Sequence, residues 1–407
     1  MKIVLNDPLF VSAQPIMQRL ESHGYEAYFV GGCVRDTLLG QPIHDIDIAT
    51  SARPEEIEAI FHLTIDIGKE HGTIIVVENR THYEITTFRT EGNYSDFRHP
   101  DYVDFVRDLR EDTLRRDFTI NALAFDRKGQ LYDYHQGISD LKLKAIRAVG
   151  VPYERFTEDA LRIVRAIRFA SQLGFEIEPN TYEAIQNLGV LLPKIAIERI
   201  RVELTKFFLG PYFEQYAQLL VNSKISRHIG LLKELPVKEA LDFMVKTMNH
   251  CPIEDERLAW FLFTKGLGLD EPTLRLFLRQ WTHSNQFIQE VTWLHQLYDI
   301  LLERPLTNWD VYYYPIELIE MLETILKPQF QQIIGNARLL YQQLPVHNKK
   351  QIVTNGKDLL TLLGLTKGNA QVGQLLQQVE FAIVMNELAN DRKAIEAFIH
   401  QQLIKER

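Results

Sequence analysis

Cysteine and long apolar runs are both scarce in this sequence. The two cysteines among 407 residues, Cys33 and Cys251, cannot form a disulfide framework and lack metal-finger spacing, which favours a reducing compartment. No apolar run approaches the roughly 20 residues that span a bilayer. The first residues, MKIVLNDPLF, lack the apolar core of a signal peptide. We therefore expect a cytoplasmic protein that does not associate with membranes.

Basic residues are outnumbered by acidic ones, with 45 Lys and Arg against 54 Asp and Glu. The formal net charge is -9 at pH 7, which argues against a chain that coats nucleic acid over its whole surface. A local basic face is compatible with an acidic total, so net charge does not exclude a nucleic-acid partner.

The sequence pattern changes near residue 150. Before it, short β-rich runs alternate with helical stretches, whereas apolar residues at spacings of three and four dominate afterwards. This pattern predicts an α+β fold, in which an N-terminal head with a mixed sheet is followed by an all-helical neck, body and tail. The predicted boundaries are 1–150 for the head, 151–215 for the neck, 216–307 for the body and 308–407 for the tail. No repeat period is present, which excludes a solenoid.

A glycine turn stands between a predicted strand and a predicted helix near residue 31. The run EAYFVGG predicts a strand that enters the turn, and CVRDTLLG predicts a short helix that ends at Gly40. Glycines such as Gly32 at this junction allow close approach of a ligand, and the helix N-terminus favours an anion such as a triphosphate. Arg35 would add positive charge there. An ordinary turn is the alternative interpretation.

Two aspartates follow in the segment HDIDIAT. On a strand, Asp45 and Asp47 project to one face, while Ile46 and Ile48 point to the other face and into a core. Adjacent carboxylates repel each other, so such a pair favours a cation between them, and Mg²⁺ prefers oxygen ligands. A solvated strand face is the alternative.

The combination of a glycine pair, a helix and Asp-x-Asp resembles the nucleotidyltransferase superfamily. Further segments, in order, resemble the successive motifs of the bacterial class II CCA-adding enzymes, which are tRNA nucleotidyltransferases. These segments are GKEHGTIIVV (68–77), YEITTFRTEG (83–92), LRRDFTINALAFD (114–126), RFTEDALRIVRAIRFASQLGF (155–175) and ERIRVEL (198–204). The likeness is dense across residues 25 to 210.

The resemblance implies an enzyme that adds C, C and A stepwise to the 3′ end of tRNA from CTP and ATP, without a nucleic-acid template. Asp45 and Asp47 would hold two Mg²⁺ ions that serve nucleotidyl transfer, and no covalent intermediate is needed. Glu84 is a candidate third carboxylate, or else a partner of an arginine. The family pattern gives Arg116 the role of contacting the triphosphate, with a structural salt bridge to Asp112 or Asp117 as the alternative.

The segment from residue 158 to residue 171 is predicted to be one helix with an arginine ridge opposite an apolar stripe. The ridge begins at Asp159 and continues through Arg162, Arg165 and Arg168. Asp159 and Arg162 would present an acceptor beside a donor, which matches C and A and rejects U and G. Arg165 and Arg168 would contact sugar or phosphate, or support the base ring. A solvated basic face is the alternative.

Two further segments are candidates for substrate contacts. The polar loop from Arg89 to Asp101 has a family counterpart linked to addition of the final A, and a long hairpin is the alternative. In the tail, Lys367 and Gly368 precede a predicted helix whose N-terminus could hold an RNA phosphate or could simply be capped. The tail is predicted to contact the tRNA acceptor arm.

Other functions fit parts of the same pattern. Within the superfamily, the alternatives are an enzyme that adds only part of CCA, such as A alone, and a bacterial poly(A) polymerase. The pair His44-Asp45 allows a phosphohydrolase of the HD type, although that pair normally lies on a helix. A non-enzymatic RNA-binding scaffold is a further class. The sequence leaves the oligomeric state open, with a homodimer as one alternative.

Overall fold

The protein is described by a computed structural model. It describes residues 1–92, 102–248, 250–322, 325–326 and 337–405. The chain divides into two units, Met1–Asp242 and Phe243–Arg407.

A seven-stranded mixed sheet organises the first unit. Its strands are β1 (Ala27–Val30), β2 (Asp47–Thr50), β3 (Thr64–Gly68), β4 (Thr73–Glu78), β5 (Thr81–Thr87), β8 (Leu123–Asp126) and β9 (Leu131–Asp133). Their order is β3-β4-β5-β2-β1-β8-β9. Neighbouring strands are antiparallel except β2 and β5, which are parallel. Two small ribbons join β6 (Arg89–Glu91) with β7 (Val103–Phe105) and β10 (Ala145–Ile146) with β11 (Glu176–Ile177).

Helices cover the sheet and then form the rest of the first unit. The longer ones are α1 (Pro8–Ser22), α2 (Gly32–Leu39), α3 (Pro54–Ile60), α4 (Leu109–Leu114), α5 (Gly137–Leu143), α6 (Pro152–Glu158), α7 (Leu161–Leu173), α8 (Pro179–Leu188) and α9 (Ile197–Phe208). Shorter helices at Phe213–Tyr216 and Leu219–Asn222 follow, and Val237–Met248 crosses the unit boundary. Aromatic packing joins sheet and helix, since Phe10 of α1 and Phe29 of β1 are buried with ring centroids 4.8 Å apart.

The second unit is built from helices around an aromatic core. Their bounds are Glu256–Gly266, Glu271–Gln280, Asn285–Glu303, Asn308–Tyr313, 316–322, Ala337–Gln342, Gly356–Leu363, Ala370–Val384 and Arg392–Lys405. The described part of this unit contains no strand. Trp260 and Trp281 are fully buried with ring centroids 5.1 Å apart, and each such side chain contributes roughly 1.5 to 3 kcal/mol by leaving water.

The predicted α+β class is confirmed, with a mixed sheet in the N-terminal part and helices after it. The finer division into head, neck, body and tail remains a prediction. None of the helices within the described ranges combines the length and the apolar character needed to cross a membrane.

Candidate active site

The predicted strand, glycine turn and helix are all present. Gly31 follows β1 with φ 75° and ψ -135°, a conformation that side chains disfavour, and α2 begins at Gly32. A Cβ atom at Gly31 would lie 3.2 Å from Asp47 Oδ2 and 3.8 Å from Arg116 Nη1. The turn therefore brings bare backbone between a carboxylate and a guanidinium. Gly40 ends α2 in the left-handed conformation, as predicted.

The carboxylates lie beside this turn because of the strand register. Asp47 pairs with Val30 of β1 on one side and with Glu84 of β5 on the other. The prediction that Asp45 belongs to the strand is wrong, because pairing of β2 begins only at Asp47. The in-out alternation nevertheless extends back, since Ile46 is buried while Asp45 is exposed. A cavity of about 370 Å³ is lined by Asp45, Asp47 and Glu84.

The electrostatics of Asp47 indicate excess negative charge. Burial, together with the charges of Asp45 and Glu84, raises the pKa of this carboxyl to about 6, although the charge of Arg116 acts in the opposite direction. A carboxylate in this position is stabilised when a cation joins the cluster.

The donor set fits a divalent cation held jointly with a substrate. Among the residues that the structure describes, no group of three or more His, Cys, Asp or Glu side chains is placed to hold a metal ion. Mg²⁺ commonly takes only one or two carboxylates from the protein and completes its shell with water and substrate phosphates. Asp45 and Asp47 suit that mode, and a direct ligand role for Glu84 remains a prediction.

Arg116 lies beside Asp47 and keeps one N–H donor without a hydrogen-bond partner among the described residues. It lies past the end of α4, and so does Arg115. Both pair with the fully buried Asp112, at 3.3 Å and 2.8 Å respectively. In the described part of the chain, Nε of Arg116 is buried and has no hydrogen-bond partner. The salt bridge to Asp112 is thus present, and it leaves Arg116 a donor for an anion.

Arg35 connects the glycine turn to the segment that carries Arg116. It donates to Asp36 and to Asn121 Oδ1, the latter at 2.7 Å. Asn121 in turn donates to Asp117 Oδ1 at 3.1 Å. This chain of hydrogen bonds fixes α2 against the segment after α4.

The predicted single helix from residue 158 to residue 171 is broken at Asp159. α6 ends at Glu158, Asp159 is extended with φ -133° and ψ 101°, and α7 begins at Leu161. The break has a local cause, because the Asp159 carboxylate accepts a hydrogen bond from the Leu161 N–H at 3.0 Å. The same carboxylate pairs with Arg199 at 2.8 Å.

Arg162 is held by partners other than Asp159. It is 7% exposed and binds Glu158 at 2.7 Å, together with the carbonyl oxygens of Arg155 and Arg115. Arg162 therefore holds the segment that leads into Arg116. Asp159 forms its ion pair with Arg199, and the expectation that Asp159 and Arg162 face a base together remains a prediction.

Arg168 is buried and Arg165 is half-buried, and both belong to an ion network, so the alternative of a solvated face is wrong for them. Arg165 pairs with Asp117 at 2.6 Å and with Glu203 at 3.4 Å, while Arg168 pairs with Glu203 at 2.6 Å. Burial would raise the pKa of Asp117, but the charge of Arg165 and the hydrogen bonds from Arg165 and Asn121 outweigh it and lower the pKa to about 2. All of these charges are compensated, and the guanidinium carbon of Arg168 lies 3.8 Å from the centre of the Phe169 ring.

Sequence reasoning missed Arg199 as a partner of Asp159. It lies at the start of α9, 40 residues after Asp159. The only signal was its place in the motif ERIRVEL, which carries no information about its partner.

The remaining candidate segments are only partly described. Arg89 and Glu91 belong to a two-stranded ribbon with β7, and residues 93–101 of the predicted loop lie outside the described residues. In the C-terminal segment, Lys367 and Gly368 precede the helix Ala370–Val384, which Asn369 caps. The Val372 N–H donates to Asn369 Oδ1 at 2.9 Å.

The pair His44-Asp45 does not have the setting of an HD phosphohydrolase. It lies in a non-helical segment before β2, and the described residues contain no cluster of further metal-binding side chains around it.

Comparisons with known proteins agree with the geometry. Residues 27–147 match the poly A polymerase head domain, residues 174–235 match an RNA- and SrmB-binding site of polymerase A, and residues 251–399 match domain 2 of tRNA nucleotidyltransferases. A CCA-adding enzyme of Streptococcus pyogenes is 43% identical over 99% of this chain and 100% of its own length. One from Lactococcus lactis is 45% identical over 95% of both chains.

A solved structure gives the same result in three dimensions. The CCA-adding enzyme of Bacillus stearothermophilus in complex with CTP is similar with a TM-score of 0.87 at 35% identity. The match covers 98% of this chain and 99% of that one.

Proposed function

Because this chain belongs to the CCA-adding enzymes, we propose that it adds C, C and A in turn to the 3′ end of tRNA, from CTP and ATP and without a nucleic-acid template. The observation that carries this proposal is the Asp47 carboxylate, whose negative charge is in excess beside the Gly31 turn and Arg116. Such a site suits a metal-bound triphosphate and the hydroxyl that attacks it.

Asp45 and Asp47 are proposed to hold the divalent metal, with two Mg²⁺ ions as the specific form. The chemistry supplied by such ions is activation of the tRNA 3′-hydroxyl and neutralisation of the leaving pyrophosphate. Asp47 is fixed by its pairing within β2, whereas Asp45 precedes the strand and remains accessible to solvent. The protein thus orients the reacting groups while it forms no covalent bond to the nucleotide.

The triphosphate is proposed to lie against the Gly31-Gly32 turn and Arg116. Backbone N–H groups at the start of α2 face an anion without an intervening side chain at Gly31 or Gly32. The buried Nε of Arg116 supplies a charged donor. Arg35 holds this arrangement through Asn121 and adds positive charge.

Base selection is proposed to depend on Asp159 and Arg162. A carboxylate at residue 159 accepts from the amino groups of C and A, and neither U nor G presents a donor in that position next to an acceptor. Arg199 currently pairs with Asp159 and orients its carboxylate. Arg162 holds the backbone of Arg115, and its remaining donor capacity is proposed for the ring nitrogen of the base.

Arg165 and Arg168 are proposed to support nucleotide binding as positioning residues. Both guanidinium groups lie near the Phe169 ring, at 5.4 Å and 3.8 Å from its centre, and both pair with Glu203 of α9. They fix α7, on which the base-selecting residues depend.

Labelled nucleotide incorporation tests the function directly. A tRNA transcript that ends before CCA should accept two C residues from CTP and then one A from ATP, and chelation of metal with EDTA should stop both steps. An enzyme that adds A alone would leave this transcript unlabelled by CTP. A poly(A) polymerase would instead extend it with many A residues.

A further inference from the structure

A large cavity lies within the second unit and has no part in the chemistry described above. Its volume is about 1080 Å³, at the upper end of the range of roughly 300 to 1,000 Å³ for ligand pockets. The helices Asn308–Tyr313, Ala370–Val384 and Arg392–Lys405 supply most of its lining. The cavity is therefore large enough for one or two nucleotides.

One wall of this cavity is aromatic. The ring centroid of Trp309 lies 5.1 Å from that of Phe381 and 6.4 Å from that of Tyr313, and the Trp309 and Tyr313 rings are nearly parallel. Phe381 is 41% exposed and Tyr313 is 53% exposed. A planar, uncharged ligand could stack on these rings, as nucleobases do in proteins that bind single-stranded RNA.

The helix face that carries Phe381 also presents amide groups. Gln377 and Gln378 lie three and four residues after Gln374, so both neighbour it on one face of Ala370–Val384. In the part of the chain that the structure describes, their side chains make no hydrogen bond to protein. Amides carry a donor beside an acceptor, which matches the edge of a nucleobase.

The charges of the cavity favour a base over a phosphate group. Glu380 is 5% exposed and is compensated by Lys349 at 3.0 Å and by the Tyr312 hydroxyl at 2.7 Å. Glu387 also lines the cavity, so the site has no positive excess for a phosphate. Phosphate contacts must come from outside the cavity, for example from Lys350.

We propose that the cavity lined by Trp309, Phe381 and Gln377 binds an unpaired nucleobase of tRNA. This proposal rests on the proposed function, which supplies tRNA as the partner. The base would stack on the exposed Phe381 ring, which Trp309 contacts at an angle of 55°, while the glutamines bind its edge. The site would thus distinguish tRNA from a plain RNA duplex, and it is separate from the residues that select CTP and ATP.

The test compares Phe381→Ala with a matched control, Leu302→Ala, in the full-length protein. Both remove an exposed apolar side chain from the second unit, and Leu302 does not line the cavity. Because stacking on an aromatic side chain contributes strongly to binding of each base, Phe381→Ala should raise the dissociation constant for tRNA lacking CCA by about 5- to 100-fold. Leu302→Ala should leave it unchanged.

A second RNA and a second variant sharpen the result. A blunt RNA duplex without unpaired nucleotides should bind wild type and Phe381→Ala equally, and Gln377→Ala should weaken tRNA binding less than Phe381→Ala does. Equal tRNA affinity of wild type and Phe381→Ala would overturn the proposal, and so would an equal loss with the blunt duplex. If the cavity instead binds a peptide, wild type and Phe381→Ala should bind tRNA with equal affinity.

Catalysis distinguishes this inference from the proposed function. At saturating tRNA, Phe381→Ala should incorporate CTP at the wild-type rate, because the catalytic residues are untouched. A wild-type protein that binds tRNA but incorporates no CTP would refute the proposed function while the binding comparison still tests the cavity.

Discussion

Asp47 and Asp117 occupy two regions of the first unit that treat a buried carboxylate in opposite ways. Around Asp47, burial and the neighbouring Asp45 and Glu84 raise its pKa to about 6. Around Asp117, Arg165 and hydrogen bonds from Asn121 and the Phe118 N–H overcome burial and lower its pKa to about 2. One region has unbalanced charge, and the other has every charge paired.

The difference in charge compensation between the two carboxylates indicates different roles for them. A buried charge without a partner is costly, so a protein that keeps one reserves the place for a ligand of opposite charge. A buried charge with full compensation fixes the elements that carry it, here the segment with Arg116 against α7. We infer that the Asp47 region performs the reaction and the Asp117 region holds its parts in position.

The largest expected effect comes from Asp47→Asn. This change keeps the size of the side chain and removes the metal-binding charge, so single-turnover incorporation of CTP should fall by roughly 10³-fold or more. The free energy of unfolding should be unchanged or higher, because repulsion from Asp45 and Glu84 is relieved. A variant that loses stability in parallel with activity would make Asp47 a structural residue.

Asp117→Ala should act on stability. Removing one partner of a buried ion pair leaves Arg165 poorly compensated, which costs about 3 kcal/mol of unfolding free energy in urea denaturation. Asp242→Ala is the matched control, because it breaks an exposed pair with Lys238 that should contribute less than about 1 kcal/mol. Similar losses in the two variants would contradict compensation as the reason for the Asp117 site.

Asp159→Ala should change base preference. Loss of the acceptor for the amino group of C and A should reduce the preference for CTP over UTP by about tenfold to a hundredfold, since an unpaired buried polar group costs roughly 1 to 3 kcal/mol. Arg199→Ala keeps the acceptor and should retain the preference. Single-turnover rates with all four nucleotides measure it, and an unaltered C-to-U ratio in Asp159→Ala would refute base reading by this residue.

The smallest expected effect is on the pH dependence of stability in metal-free protein. Because the folded-state pKa of Asp47 is raised from 3.8 to about 6, the folded protein binds more protons in that window and loses stability as pH rises through it. As the pH rises from 4 to 6.5, the free energy of unfolding of Asp47→Asn should therefore increase relative to that of wild type by on the order of 1 kcal/mol. The depressed pKa of Asp117 works in the other direction, since its stabilisation is lost only as pH falls from about 4 towards 2.

Urea titrations of wild type and Asp47→Asn across this range measure the gain. A constant difference between the two proteins would show that Asp47 does not titrate in this window.

Local sequence predicts the part of the site that is local in the chain. The turn at Gly31 and the alternation around Asp47 depend on neighbours within a few residues, so pattern and propensity were sufficient. The helices of the second unit were predicted for a similar reason, because their apolar faces follow the helical repeat.

The segment from residue 158 to residue 171 could not be predicted in detail because the partners of its charged side chains are remote in sequence. The apolar repeat continues through Asp159, yet the Leu161 N–H and Arg199 hold its carboxylate and break the helix. Likewise, the sequence pattern places Arg165 on a solvated helix face, whereas the fold brings Asp117 and Glu203 into ion pairs with it. The helical repeat shows which residues share a helix face, but it does not show which distant residue each of them contacts.

The central claim is that charge around Asp47 is unbalanced until a divalent cation binds. Isothermal titration of Mg²⁺ into protein saturated with a non-reactive CTP analogue tests it most directly, with wild type, Asp47→Asn and Asp117→Asn compared. We predict that Asp47→Asn loses Mg²⁺ binding while Asp117→Asn retains it within about tenfold of wild type. Undiminished binding in Asp47→Asn, or an equal loss in both variants, would contradict the account.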